Sequence, residues 1–456
     1  MTVSDDTVVP RSTEPAPPRR DWRPFVMRLH FYAGILIAPF ILIAAVTGGL
    51  YALAPTIERV VYGDILTVPA QGRPLPVGDQ VAAAQIAYPH LTMTGLRPPA
   101  ERTESTRVYF ADPTLDAELQ RAVFVDPYTG RVLGDEASWL GYLPVSTWLD
   151  GFHRHLNLGE PGRVYSELAA SWLWVVALGG LALWLTRPGA RRRRGRPGSR
   201  SRTLNWHGTT GVWLLAGLLF LSATGITWST YAGAHVSELR SAMQWQRPQL
   251  DTDPHAGHAG HAAPPASDTP AALDYDAVLR AAAAAGVQAP LEVTLPSEPG
   301  QGVTVTEIDK AYRLTSNAAA VDPVTNTVTA EIDYWRDYSP VAMLADWGIR
   351  GHMGLLFGLL NQLLLLTVAV LLAWVIIGGY RMWWQRRPIR GSVWAVGRPP
   401  GRGTLKRLSP AVIGALVLAT VAVGWFLPLL GISLAAFIIL DAAIAATKNR
   451  KEHTNA

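Results

Sequence analysis

The sequence predicts an α-helical polytopic membrane protein with an internal duplication. A four-helix bundle is followed by a C-terminal helical hairpin, and two α+β domains lie outside the membrane. Of the 456 residues, 49% are hydrophobic and only 16% are charged, which is a low charge content for a soluble domain. Long charge-free stretches, loops of alternating charge and motifs that recur in the second half of the chain support this prediction.

Five charge-free stretches are long enough to cross a bilayer: 31–57, 168–186, 208–236, 353–380 and 408–440. The fifth would extend for about 50 Å as one helix, too far for a single crossing. Because Pro428 and Gly431 interrupt it, we interpret it as a helical hairpin.

The loop charges predict the orientation of the chain. Residues 187–202 and 381–407 each contain eight basic residues and no acidic residue. Residues 58–167 contain 14 acidic and 9 basic residues, and residues 238–350 contain 15 and 7. Basic loops remain in the cytoplasm. We therefore expect both termini to be cytoplasmic, the acidic segments to be exoplasmic, and the chain to lie in the cytoplasmic (inner) membrane.

The predicted organisation has four spans, two exoplasmic domains and a terminal hairpin. Its segments are a cytoplasmic tail 1–29, TM1 30–57, exoplasmic domain 1 58–150, TM2 with its exoplasmic approach 151–186, a basic loop 187–206, TM3 207–236, exoplasmic domain 2 237–350 with a His-rich linker 251–269, TM4 351–384, a basic loop 385–407, the TM5–TM6 hairpin 408–447 and a cytoplasmic tail 448–456.

The duplication is visible as motifs in the same order. In each half a threonine–glycine pair follows a histidine, with the threonine 17 residues after it: His30 and Thr47, then His207 and Thr224. The other matches are 125–132 with 321–328, Trp139-x-x-Tyr142-x-Pro144 with Trp335-x-x-Tyr338-x-Pro340, and His153-x-x-Leu156 with His352-x-x-Leu355. Two spans per unit keep both units in one orientation, so a pseudo-twofold axis is expected along the membrane normal.

The exoplasmic domains have the pattern of small α+β units. Residues 77–87 and 275–285 are rich in alanine and predict helices, whereas 106–111 and 122–125 have strand character. The motifs that begin at Asp126-Pro127 and Asp322-Pro323 are typical of tight turns between strands.

Four histidines occupy matched positions near the ends of the predicted spans. His30 and His207 lie at the cytoplasmic side, and His153 and His352 lie at the exoplasmic side. Two facing neutral imidazoles are what a six-coordinate haem iron requires. The chain has no cysteine, so such a haem would be b-type rather than c-type. Histidine at a helix end is also often simply interfacial, and His155 is a rival to His153.

Two other groups of residues invite a functional interpretation. His255, His258 and His261 are either an accessory site for Cu(II), Ni(II) or Zn(II) or incidental low-complexity sequence. Six juxtamembrane aromatics are interpreted as an interfacial belt, with contact to a ligand near an outer haem as the alternative: Trp139, Tyr142, Trp148, Trp335, Tyr338 and Trp347.

The histidine–threonine–glycine pattern, the turn at 124–133 and the motif at 153–163 together resemble the PepSY-associated transmembrane family. Members of that family include PiuB-type iron-regulated proteins and FoxB-type ferric-siderophore reductases. The resemblance covers about residues 23–387. It implies two PepSY-like exoplasmic domains, a four-helix haem-binding bundle with His30, His153, His207 and His352 as ligands, and reduction of ferric chelates outside the membrane.

The paired histidines predict a transmembrane electron-transfer protein with two haems b, and the resemblance implies that it acts as a haem-dependent ferric(-siderophore) reductase. The chain has no glycine-rich dinucleotide fingerprint and no recognisable flavin site. The expected donor is therefore a quinol, a soluble flavoprotein or another cytoplasmic protein. Membrane lipid and a ferric chelate are the other expected partners, and the basic loops require no nucleic acid. The alternatives are a haem-free PepSY binding or regulatory protein and a metal-handling protein that uses the His-rich segment.

Overall fold

The computed structural model describes residues 22–186, 199–252, 273–298, 300–386 and 410–454. The helices of these ranges are α1 (Arg23–Leu36), α2 (Ala38–Tyr51), α3 (Ala54–Val61), α4 (Gly63–Leu66), α5 (Val77–Ala87), α6 (Pro144–His155), α7 (Glu160–Leu185), α8 (Arg200–Thr227), α9 (Tyr231–Ala242), α10 (Tyr275–Ala284), α11 (Tyr334–Asp337), α12 (Pro340–His352), α13 (Gly358–Trp384), α14 (Pro410–Phe426) and α15 (Pro428–Thr454).

The chain is a membrane protein of helical type. Among the described residues, α7, α8 and α13 are long and apolar enough to cross a bilayer, and the bent pair α1–α2 can form a fourth span. The apolar parts of α14 and α15 are shorter. In the bundle, α7 packs against α1, α2 and α8, and α13 packs against α2 and α8.

The first span is bent, which the predicted single segment 30–57 did not anticipate. Helices α1 and α2 meet at Ile37 with an angle of 58°. Pro39 lies in the first turn of α2, where its ring removes an amide donor and clashes with the carbonyl four residues earlier. That carbonyl belongs to Ile35, and it accepts a hydrogen bond of 2.8 Å from the Tyr380 hydroxyl instead.

The predicted TM2 and TM4 segments each contain two helices rather than one. His153 lies near the end of α6 and His352 ends α12, while the spanning helices α7 and α13 begin several residues later. In the first break Leu156 and Asn157 have positive φ, and in the second Gly354 does. A left-handed residue ends a helix, so each outer histidine lies on a short helix beside the bundle.

The predicted TM3 segment also differs from the observed helix. Helix α8 begins at Arg200, where the Ser199 side chain caps it, and ends at Thr227. Residues after 230 form the separate helix α9, whose first amides, those of Tyr231 and Ala232, donate to the buried Glu167 carboxylate. Hydropathy reports the apolar run but not the break within it.

The eight strands of the described residues form one antiparallel sheet in the order β4-β3-β2-β1-β5-β6-β7-β8. They are β1 (Thr92–Arg97), β2 (Thr106–Ala111), β3 (Gln120–Val125), β4 (Val132–Ser138), β5 (Leu291–Thr294), β6 (Val303–Glu307), β7 (Ala318–Val321) and β8 (Val328–Ile332). The predicted strands at 106–111 and 122–125 and the predicted helix at 77–87 are confirmed.

The sequence predicts two separate α+β units, yet their strands join through β1 and β5. Gly95 pairs with Thr294 and Leu96 pairs with Val293. A Cβ atom at Gly95 would lie 2.5 Å from the Val293 carbonyl oxygen, so glycine allows the two backbones to approach. The pairing covers the edge strand that each unit would otherwise expose, and α5 and α10 contribute to one shared hydrophobic core.

The predicted C-terminal hairpin corresponds to α14 and α15. Gly424 and Gly431 pack against each other, so the chain reverses just before Pro428. The carbonyl of Phe426 at this turn accepts a hydrogen bond of 3.0 Å from Nδ1 of His235 on α9. Helix α15 is attached to the bundle by the Trp172 indole, which donates to the Ser433 hydroxyl at 2.8 Å.

Candidate functional site

The rings of the predicted inner histidine pair, His30 and His207, lie beside each other. The ring centroids of His30 and His207 are 6.2 Å apart, with the ring planes at 79°. Nδ1 of His30 donates to the carbonyl of Val176 at 3.1 Å, and Nδ1 of His207 donates to the carbonyl of Val375 at 2.9 Å. Since a carbonyl only accepts, both protons are on Nδ1 and both Nε2 atoms keep a lone pair.

The outer pair has the same arrangement. The ring centroids of His153 and His352 are 6.3 Å apart, with the planes at 44°. Nδ1 of His153 lies 3.1 Å from the hydroxyl oxygen of Thr47, and Nδ1 of His352 lies 2.5 Å from that of Thr224.

The proton positions at this pair follow from the threonines. Thr47 gives its hydroxyl proton to the Ile43 carbonyl, and Thr224 gives its own to the Phe220 carbonyl. Each hydroxyl has a single proton, so it accepts from the imidazole. The lone pairs are again on Nε2, the form in which a histidine binds a metal while a second partner orients its ring.

A glycine faces each of the four rings. A Cβ atom at Gly48 would lie 2.8 Å from Cε1 of His153, and one at Gly180 would lie 3.2 Å from Cε1 of His30. The corresponding distances from Gly379 to His207 and from Gly225 to His352 are 3.7 and 4.0 Å. At Gly48 and Gly180 the absence of a side chain lets the imidazole lie directly against the neighbouring helix, whereas a Cβ atom at Gly379 or Gly225 would make ordinary contact.

His155, the rival of His153, is not part of the pair. It is the last residue of α6, and the ring that contacts His352 belongs to His153. Tyr51 stacks against His153 with centroids 6.1 Å apart, and Trp228 contacts His352 edge-on at 5.2 Å.

A cavity of about 920 Å³ opens at the outer pair and includes both His153 and His352 in its lining. The wall formed by the bundle is apolar. It combines the small residues Ala44, Ala45, Gly48, Ala169, Ala170, Gly225 and Ala369 with the larger Ile41, Leu173, Leu221, Leu365, Val368 and Leu372. The wall formed by the sheet and the segments beside it carries charged and aromatic side chains. The cavity therefore joins an apolar space in the bundle to a polar chamber outside it.

The predicted aromatic belt is only partly at the surface. Trp148 and Trp335 are 57% and 56% exposed, as a belt requires. Trp139, Tyr142 and Tyr338 line the cavity instead. The sequence places them close to spans, but the sheet folds over the bundle and encloses them.

The helix that carries His352 is attached to the sheet domain by charged groups. Arg350 is buried, donates to the Asp346 carboxylate at 2.6 Å and to the Arg313 carbonyl at 2.9 Å, and lies 3.9 Å from Asp309. Burial raises the pKa of Asp309, and the Arg350 guanidinium opposes that rise. These contacts position the end of α12 at which His352 lies.

Sequence reasoning missed the role of the two threonines. It recorded Thr47 and Thr224 as repeat markers only, although two matched hydroxyls inside apolar runs are a sign of a buried hydrogen bond. The His-rich tract of His255, His258 and His261 lies outside the described residues. Within them, no three His, Asp or Glu side chains lie together in a way that would hold a metal ion.

The model of the PepSY-associated TM region matches residues 27–386. The chain belongs to the PepSY-associated TM family. The match spans both histidine pairs and the whole sheet, and it ends before α14. A search of curated proteins finds no match.

Proposed function

We propose that this PepSY-associated protein is a di-haem b electron-transfer protein that reduces ferric chelates on the exoplasmic side of the inner membrane. The observation that supports the proposal most directly is the pairing of four histidines in two equivalent sites. In each site both imidazoles direct Nδ1 to a protein acceptor, which leaves two Nε2 atoms for one metal.

The two imidazoles of each pair would hold a haem iron through their Nε2 atoms. Their ring centroids are 6.2 Å apart in the inner pair and 6.3 Å apart in the outer pair, so the two rings of a pair lie close enough to share one metal. At the outer pair, a cavity of about 920 Å³ would leave space for the rest of the cofactor.

The two sites lie at different depths. His207 and Thr224 are both on α8, and the 17 residues between them correspond to about 26 Å of helix, close to the thickness of the hydrocarbon core. Since Thr224 holds His352, one pair is near each face of the membrane. Histidines at these two depths would hold one haem near each face, and the haems would supply one-electron chemistry across the bilayer.

The residues of the chain have defined roles in this proposal. The carbonyls of Val176 and Val375 and the hydroxyls of Thr47 and Thr224 orient the four imidazoles. A quinol, a soluble flavoprotein or another cytoplasmic protein supplies the electrons at the inner pair. One electron reduces one chelated Fe(III) to Fe(II) at the outer pair, and hard oxygen ligands hold Fe(II) less tightly.

We also propose an orientation of the chain in the membrane and a common origin of its two halves. The basic loops favour cytoplasmic termini in an inner membrane, and a ferric siderophore of the kind reduced by FoxB-type members is the first substrate to test. The matching order of the four strands in each half and of the helices that carry the histidines supports a duplication. Pro39 has no counterpart in the second half, where Ala216 occupies the matching position and α8 is unbroken.

A reduced-minus-oxidised spectrum of the purified protein tests the proposal. We expect a Soret band and low-spin b-type bands on dithionite reduction, with half of the haem lost in His153→Ala or His352→Ala. His90→Ala, a change at an exposed histidine of the sheet domain, is the matched control. Protein that folds normally but stays colourless when purified from haem-replete cells favours the regulatory alternative. Metal uptake by vesicles without redox chemistry favours the metal-handling alternative.

A further inference from the structure

The exoplasmic chamber of the cavity is rich in arginines that lack an acidic partner. Four lining residues, Arg107, Arg163, Arg240 and Arg247, form no ion pair with a carboxylate of the described residues. A guanidinium presents five donors in a planar fork that matches a carboxylate. The lining also holds carboxylates, but Asp150 pairs with Arg154, and Asp309 and Asp346 pair with Arg350. The arginines that are left without such a partner indicate a site for an anion.

Arg107 lies in the cavity wall with a second arginine, Arg97, beside it. One of the amino groups of Arg107 donates to the Gly141 carbonyl at 3.0 Å, and its guanidinium lies over the face of Phe124 and interacts with Tyr109. The neighbouring Arg97 pairs with Glu292 at 2.8 Å. Burial, and after it the positive charge of Arg97, lowers the pKa of Arg107, and the Glu58 carboxylate opposes this shift. A bound anion at this wall would favour the charged guanidinium in the same way.

Arg247 faces the cavity from the second half of the chain. It lies in the loop after α9, and its guanidinium donates to the Ser316 hydroxyl at 2.9 Å. Arg163 lies closer to the membrane, where it donates to the Thr230 hydroxyl and to the Trp228 carbonyl. Each of these two guanidinium groups donates to neutral oxygen acceptors, and its other N–H groups are left to bind a ligand.

We propose that this chamber binds a carboxylate-bearing ferric chelate, with Arg107 and Arg247 binding its carboxylates. The inference rests on the proposed function, because it identifies the class of chelate that would receive electrons at the outer histidine pair. The same carboxylate chemistry is offered by the acidic side chains of a haem at that pair. The experiment has to distinguish these two sources.

Binding is measured without electron transfer. Full-length protein is titrated with gallium citrate, a redox-inert substitute for ferric citrate, and with a neutral gallium trihydroxamate, which has no free carboxylate. We expect Arg107→Gln and Arg247→Gln each to weaken gallium citrate binding about ten-fold, the scale of one charge-assisted hydrogen bond. Trihydroxamate binding should not change. Arg107→Lys and Arg247→Lys should recover part of the affinity.

Arg131→Gln is the matched control, since Arg131 is an exposed arginine of the sheet domain outside the cavity lining. Haem spectra and thermal melting are recorded for every variant, and Arg247 lies in a loop, so its replacement leaves the sheet intact. Unchanged citrate affinity in both glutamine variants overturns the proposal. Loss of the outer haem signal with unchanged citrate binding assigns the carboxylates to the haem and also overturns it. Arginine-dependent citrate binding by a haem-free protein supports the site and rejects the electron-transfer function.

Discussion

Nδ1 of His153 donates to the hydroxyl of Thr47 at 3.1 Å, although 106 residues of chain separate them. The contact joins the short helix α6 to the bent first span. It also determines which ring nitrogen carries the proton, because the Thr47 hydroxyl is itself a donor to the Ile43 carbonyl. The same relation between Thr224 and His352 in the other half makes it testable at two sites.

Replacement of Thr47 by valine removes the acceptor and keeps the shape of the side chain. We expect the outer haem to bind about 10- to 100-fold more weakly, the usual cost of losing the partner that orients a metal-bound histidine, and the inner haem to be unaffected. Haem content per protein and separate redox titration of the two haems measure this.

The matched control for that change is Thr367→Val on α13. The Thr367 hydroxyl is exposed and donates only to the Leu363 carbonyl of its own helix. If both valine variants lose haem equally, the loss comes from changing a helix and not from the bond to His153.

Enlarging Gly48 should displace the His153 ring. A Cβ atom there would lie 2.8 Å from Cε1 of the imidazole, closer than carbon atoms approach without movement. We expect Gly48→Ala to lower the outer-haem signal in the reduced-minus-oxidised spectrum. Gly34→Ala is the control, because a Cβ at Gly34 meets no atom within 4 Å. A full complement of haem in Gly48→Ala would show that the ring has room to shift.

The joint between the two halves of the sheet depends on Gly95. A valine there would push against the Val293 carbonyl, and overpacking of this kind typically costs about 1–3 kcal/mol. We expect a lower melting temperature and faster proteolysis of the sheet domain in Gly95→Val. Gly78→Val, in the first turn of α5 where a Cβ meets nothing within 4 Å, should melt closer to the wild type.

The hydroxyl of Tyr380 takes the place of the helix bond that Pro39 removes. We expect Tyr380→Phe to destabilise the protein by about 1–3 kcal/mol, since the Ile35 carbonyl then remains without a partner. In a Pro39→Ala background the helix can supply that partner from residue 39. The same change should therefore cost less there, and a double-mutant cycle of unfolding free energies measures the coupling. Equal costs in the two backgrounds would refute this link.

The amino-acid sequence by itself determined the approximate positions of the apolar spans, the helix at 77–87, the strand at 106–111 and the recurrence of the histidines. These properties follow from local composition and spacing. It also marked the four histidines as one set. Their role as haem ligands stays a prediction.

The tertiary structure decided how distant segments meet. The donation from His153 to Thr47, the pairing of Gly95 with Thr294 and the joining of Arg107 and Arg247 in one cavity each connect residues that are far apart in the chain. No periodicity encodes such contacts, because they depend on the relative positions of whole helices and strands. Those positions arise only when the two halves pack together and bury their shared surface.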